Sequence, residues 1–395
     1  MSTTVEIRRT TIPFAAIAAI LVTFMAASAA PSPLYVVYQR EWGFSTGVLT
    51  VIFAIYVASL TATLLTLGAL SDHLGRKPVL VSAIALEAVS LLLFLTAGGV
   101  GTLLAARLLQ GVATGAAITV LGAALIDLNP PHAPGRAGLI NGLAPLSGLA
   151  LGALGTGALV QYAPQPTHLV WAVLLLIMLA AGVAVALMPE TSERRPGWRA
   201  SLRPRLGVPA RLRADAIALS PITVASWAVG GLYLSLSPSV AAGELGIRSH
   251  LVGGFVIALM TGTGAITSFV LRRTPAPRVL QVAGGGLLLG TLISIIGVES
   301  HDVLLAGAGT VISGIGFGAS ALATLGQLSV LAGPAERSKL LAVYLVVAYA
   351  AFSIPAVLAG VATNAVGLHL TALVYGLVVA LLAAVALIAR RARVS

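Results

Sequence analysis

Twelve long apolar runs divide the chain, at about 12–38, 46–71, 77–97, 101–127, 137–162 and 168–188, then 216–238, 249–271, 279–298, 303–331, 339–363 and 369–389. Roughly 20 apolar residues in a helix cross the hydrocarbon core of a bilayer. The runs are continuous rather than alternating in short segments, which argues against a membrane β-barrel. Hydrophobic residues make up 58% of the 395 and charged ones 9%, whereas a soluble chain carries about a quarter charged residues. Such a chain cannot cover itself with polar surface in water. It is read as an all-α membrane protein. The run after Arg8 and Arg9 is long enough to remain as a span rather than serve as a cleaved leader.

Charge placement tests the count of twelve. The longest polar stretch, 189–215, carries Arg194, Arg195, Arg199, Arg203, Arg205, Arg211 and Arg213. It reads as a basic linker between six-span halves at 1–188 and 216–395. With both termini on one side, that side collects 20 of the 23 Lys and Arg. Only Arg40 and Arg248 fall opposite, and Arg107 lies inside a span. By the positive-inside rule the basic side is cytoplasmic. The net charge of +11 is therefore a topology signal, and no nucleic-acid partner is expected. The absence of cysteine removes disulfides, thiolate chemistry and Cys-ligated metals. The histidines lack metal-ligand spacing, so no metal is expected. There is no phosphate-binding loop and no catalytic constellation. The chain is expected not to be an enzyme and to need no cofactor.

The turn after the second run, residues 68–80, reads GALSDHLGRKPVL. Asp72 sits at the end of a helix, where the macrodipole disfavours a carboxylate unless a cation or another helix N-terminus compensates. Arg76 or Arg136 can supply that charge. In the fourth run, Arg107 precedes Gln110, Gly111 and Gly115. It stands six residues into the span, about 9 Å deep, where an Arg costs about 3 kcal/mol on insertion scales. It should face a watery cavity or a carboxylate. Glu87 is the one acid deep in a span, about 15 Å beyond Lys77. It is a candidate proton site or Arg107 partner. The fifth run holds Asn141, Pro145 and Gly148, a pattern that suits a bending helix or close packing. Asp127 ends the fourth run, before Arg136.

The 68–80 turn resembles the G-x-L-x-D-R-x-G-R-K-x-x-L motif of the major facilitator superfamily. Gly68, Leu70, Asp72, Gly75, Arg76, Lys77 and Leu80 match, and His73 replaces the first Arg. Arg107, Gln110, Gly111 and Gly115 are similar to a second motif of that family, R-x-x-Q-G-x-x-x-G. The fifth run resembles its antiporter motif, with Ala144 and Leu149 in place of two glycines. The resemblance covers the whole chain. It implies twelve transmembrane helices in two six-helix bundles related by pseudo-twofold symmetry. Internal echoes agree: Gln110–Gly115 against Ser313–Gly318, and Pro134–Ala137 against Ala335–Ser338.

The resemblance further implies a secondary active transporter of a bacterial inner membrane, working by alternating access and close to drug/proton antiporters. Gly68, Asp72, Gly75, Arg76, Lys77, Asp127 and Arg136 would form a cytoplasmic latch. Arg107, Gln110 and Glu87 would serve the cavity and coupling, with the proton gradient as energy source. Tyr35, Asn141, Trp227, Tyr233, Gln327, Tyr344 and Tyr349 are the candidate cavity residues. A mainly apolar cavity fits a small amphipathic or hydrophobic solute, exported against proton uptake. The expected partners are that small molecule and the lipid bilayer, and the chain is expected to be a monomer. Import of a small anionic metabolite on Arg107 is the alternative. A non-transporting sensor is the rival from another class.

Overall fold

The computed structural model describes the backbone of residues 2–130, 133, 135–204, 206–247, 249–331 and 334–394; the side chains of 2–10, 325–331, 334–338 and 390–394 are not described. Gln327, Arg8, Arg9, Arg205, Arg248, Arg337, Arg390, Arg391 and Arg393 thus lie outside the described side chains. Among the described residues, twelve helices are long and apolar enough to cross a membrane: α1 Thr11–Trp42, α2 Thr46–Leu67, α3 Arg76–Leu95, α4 Val100–Asp127, α5 Arg136–Tyr162, α6 Pro166–Leu187, α7 Ala210–Ser235, α8 His250–Leu271, α9 Ala276–Glu299, α10 Val303–Thr324, α11 Lys339–Val366 and α12 Leu368–Ala389. They match the twelve runs read from the sequence. α1 is broken by a turn at Ala30, before Pro31 restarts the helix.

The outward face of these helices shows what solvent they meet. On α6, Leu176, Val183 and Leu187 are 66%, 62% and 83% exposed, and on α12 Leu381 is 64% exposed. Continuous stripes of large aliphatic side chains fit lipid rather than water. Small residues recur on the inward faces, beside large buried ones such as Trp171 and Phe24. Without a hydrophobic drive between helices in lipid, close van der Waals approach holds them, and that needs glycine. A Cβ on Gly115 of α4 would come within 2.8 Å of the Leu60 carbonyl oxygen of α2. A Cβ on Gly148 of α5 would strike α1 at Met25 and Val22. α5 stays helical through Pro145, and Gly148 lies against α1 there.

The chain forms two compact units. The first comprises 1–30, 55–152 and 162–204; the second comprises 31–54, 153–161 and 205–395. In the first, α3 packs on α4 and α6, and α1 packs on α4. In the second, α9 packs on α10 and α12, and α7 packs on α10. The same pairings thus recur six helices apart, as the sequence echoes anticipate. Segments 31–54 and 153–161 are integral to the second unit. Phe53 lies 5.1 Å from the Phe352 ring, and Gln161 Oε1 accepts from the His250 N–H at 3.0 Å.

Candidate functional site

Three charged or polar side chains meet inside the first unit. Glu87 of α3 and Arg107 and Gln110 of α4 are all fully buried. Arg107 and Gln110 are three residues apart and so share one helix face. α3 packs along that face and brings Glu87 to it. Arg107 Nη1 donates to Gln110 Oε1 at 2.6 Å and to the Ser28 carbonyl at 3.1 Å. Gln110 Nε2 donates to Glu87 Oε1 at 3.0 Å and to the Ala27 carbonyl at 3.1 Å. The amide therefore relays between cation and carboxylate. Glu87 Oε2 is buried without a hydrogen-bond partner among the described residues.

A second layer fixes the guanidinium. Its carbon sits 4.4 Å from the centre of the Tyr56 ring, a cation–π contact. The Tyr56 hydroxyl donates to Ser28 Oγ at 2.9 Å, which donates to the Phe24 carbonyl at 2.8 Å. The free carbonyls of Ala27 and Ser28 come from the end of the first α1 segment, just before the Ala30 turn. Helix ends leave carbonyls unbonded, and here the side chains of Arg107 and Gln110 take them. Gly111 lets α2 approach closely enough to bring Tyr56 in, since a Cβ there would strike Ser59 and Tyr56. Sequence reading anticipated an Arg directed to an acid or a cavity. Gln110 was named from its motif, but its link to Glu87 and the roles of Ser28 and Tyr56 had no sequence signal: Ser28 and Tyr56 are ordinary residues within apolar runs.

The α2–α3 turn builds a second cluster. Gly75 has φ of 98°, a conformation that L side chains rarely adopt. A Cβ there would also lie 2.5 Å from Glu190 Oε2. Arg76 Nη1 pairs with Asp72 Oδ1 at 2.5 Å, and its Nε pairs with Asp127 Oδ2 at 3.1 Å. Arg76 is thus the cation that compensates Asp72. Arg136 instead lies over the Phe14 ring at 5.4 Å. Glu190, just beyond α6, accepts from the Arg76 and Lys77 backbone N–H at 2.8 and 3.1 Å. A carboxylate at a helix N-terminus is favourable by about 0.3–1 kcal/mol. Lys77 Nζ donates to the Ala186 and Met188 carbonyls at the end of α6, at 2.6 and 3.0 Å. The motif therefore ties the start of α3 to the ends of α4 and α6. Glu190 was missed in an Arg-rich stretch read only as a linker. Its signal was an acid directly after an apolar run.

The remaining candidates are dispersed. Trp227, Tyr344 and Tyr349 come together in the second unit. Trp227 Nε1 donates to the Tyr344 hydroxyl at 3.2 Å and its ring meets Tyr349 edge-on at 5.0 Å. Tyr233 lies apart from them, its hydroxyl 3.0 Å from Thr310 Oγ1. Asn141 Nδ2 donates to the Gly122 carbonyl at 3.1 Å, tying α5 to α4. Tyr35 is buried.

Comparison with known proteins places this arrangement. The "Multidrug resistance protein MdtL" of Citrobacter koseri is 27% identical over 300 residues, 73% of this chain and 74% of that protein. The protein of the same name from Escherichia coli is 26% identical over 299 residues, with the same coverage. Among solved structures, a bacterial homologue of the human lysosomal transporter Spinster superposes with a TM-score of 0.75 at 13% identity, over 97% of each chain. The nucleoside transporter NupG gives 0.73 at 10% identity, over 96% of this chain and 99% of its own. The family model for the Major Facilitator Superfamily matches residues 15–356. With its twelve membrane-length helices, the chain belongs to the Major Facilitator Superfamily and is a multi-pass membrane transporter.

Proposed function

We propose that this transporter works by alternating access and exports a small amphipathic or hydrophobic compound in exchange for protons. The observation that carries the reading is the buried Glu87–Gln110–Arg107 relay. A carboxyl in an apolar bundle changes its protonation when its charged neighbour moves. Here the neighbour is linked through a single amide, so a small shift of α4 against α3 would make or break the link. One Glu87 oxygen has no hydrogen-bond partner among the described residues, which leaves a position for the proton. Export is supported by the relatives that are named multidrug resistance proteins. The apolar solute is supported by the shortage of polar side chains in the spans. Arg107 is fully buried among protein acceptors, which disfavours it as a ligand for an imported anion. In this reading Gly68, Asp72, Gly75, Arg76, Lys77 and Asp127 form the gate at the cytoplasmic end of the helices, and Arg136 borders it.

Glu87→Gln keeps the shape and removes the titrating group. In everted vesicles supplied from outside with a panel of amphipathic dyes, the variant is expected to lose the response of uptake to an imposed pH gradient. Downhill exchange of the dyes should persist. Gradient-dependent transport at the wild-type level in the variant would refute proton carriage by Glu87.

The proposed setting is a bacterial inner membrane with both termini cytoplasmic, because the basic residues gather on one side. Reporter fusions after Arg199 and after Arg393 are expected to read cytoplasmic together. A periplasmic signal from either would contradict the even number of spans in each half.

A further inference from the structure

A cavity of about 400 Å³ lies wholly within the second unit, walled by α7, α8, α9, α10 and α12. That is the size of a small-ligand pocket. It is separate from the Glu87–Arg107 cluster, which belongs to the first unit. Its walls are almost entirely aliphatic. Among the lining groups, the Tyr233 hydroxyl lies 3.4 Å from Ser294 Oγ and 3.0 Å from Thr310 Oγ1. Beside them Thr291 Oγ1 is buried, lines the cavity, and has no hydrogen-bond partner among the described residues. Phe255 and Leu304 line the cavity and are also 47% and 86% exposed on the outer apolar face. The cavity wall therefore reaches the outer surface of the unit.

The mouth lies at the junction of α9 and α12. His369 Nδ1 faces Glu244 Oε2 at 3.0 Å, and His369 Nε2 faces Glu299 Oε1 at 3.1 Å. Two carboxylates share one imidazole, so the trio is net negative whether or not the imidazole carries a proton. Glu299 and His369 both line the cavity. Thr291 and Glu299 are eight residues apart on α9, about 12 Å along its axis.

We propose that this cavity binds an amphipathic amine, with its apolar body along α9 and its ammonium at the mouth between Glu244 and Glu299. The ammonium needs N–H donors, because it takes the place of the His369 ring nitrogens that face the two carboxylates at 3.0 and 3.1 Å. A quaternary ammonium has none. An anion is repelled by the mouth, and a neutral alcohol leaves the carboxylates without a cation.

The test uses the full-length protein in phosphatidylglycerol nanodiscs and a decylamine that carries a photoreactive diazirine in its chain. Crosslinks are expected within 229–259, 287–313 or 369–379. Decylamine should compete at least tenfold better than decyltrimethylammonium, decanol or decanoate. Glu244→Gln/Glu299→Gln should weaken decylamine at least tenfold. Gly307 lines the cavity, and a Cβ there meets nothing within 4 Å. Gly307→Phe therefore fills the space without backbone conflict and should abolish labelling, even if the double carboxamide variant fails to fold. Nanodiscs containing phosphatidylethanolamine separate the two sources of the amine. Reduced labelling there assigns the site to a lipid headgroup, and unchanged labelling assigns it to a free amphiphile. Equal competition by decanol or decanoate, or crosslinks confined to other segments, would overturn the proposal. Neither arm measures transport, so failure here leaves the export reading intact, and failure of that reading leaves this one.

Discussion

Arg107→Ala is expected to abolish gradient-driven transport and to lower stability by about 3–5 kcal/mol, the usual cost of removing one partner from a buried charged cluster. The structure accounts for both effects. The guanidinium satisfies Gln110 Oε1 and the Ser28 carbonyl and lies on the Tyr56 ring. Truncation leaves those acceptors buried and leaves Glu87 without the cation that Gln110 relays to it. Arg107→Lys should recover part of the stability, since an ammonium can reach one acceptor. It should recover little transport, because it lacks the planar fork that bonds the amide while stacking on the ring. The double change Glu87→Leu/Arg107→Leu separates the two roles. Removing both charges should restore more stability than Arg107→Ala retains, with transport still absent. Thermal unfolding in detergent and dye efflux in vesicles give the two readouts. Normal efflux from the double variant would reduce the cluster to a packing element.

Arg76→Ala is the second large effect. One guanidinium holds Asp72, Asp127 and Ser71 Oγ, the last at 2.6 Å. Its removal leaves two carboxylates near each other with no shared cation. A loss of about 2 kcal/mol is expected, in the range of hydrogen bonds to charged groups. Asp72→Asn should cost less, because the Asp72 side chain is 48% exposed and Asp127 still holds Arg76. Lys in place of Arg76 keeps the charge but cannot bridge three partners. Since the chain has no cysteine, spin labels on single cysteines at Leu74 and Leu128 can report this contact without background. The distance distribution should broaden in Arg76→Ala and stay narrow in Asp72→Asn. Transport should fall several-fold in Arg76→Ala if this cluster gates the helices. An unchanged distribution in both variants would leave the motif as a topology signal alone.

The membrane class, the number of spans and the recurrence of the two halves were legible in the sequence, because each depends on local composition. A bilayer imposes one length and one polarity on every span, so hydropathy alone locates α1–α12. The turn at 68–80 was legible for a related reason. Gly75 has a positive φ that few other residues tolerate, and Arg76 and Asp72 are four residues apart. That pairing is a local fact.

Tertiary structure decided everything that joins distant helices. Arg76 and Arg136 looked equivalent as the cation for Asp72, yet Arg76 pairs with Asp72 and Asp127 while Arg136 lies over Phe14. Glu190, 114 residues from Arg76, reached the α3 N-terminus only through the packing of α6. Glu87 and Arg107 were each marked by their cost in a span, but no pattern showed that Gln110 stands between them. The trio of Glu244, Glu299 and His369 spans 125 residues between its first and last members and had no spacing to betray it. The physical reason is common to these cases. Insertion into the bilayer is a property of each segment by itself. The pairing of buried polar groups depends on which helix faces meet, and glycine positions such as Gly111 and Gly115 set how closely they do.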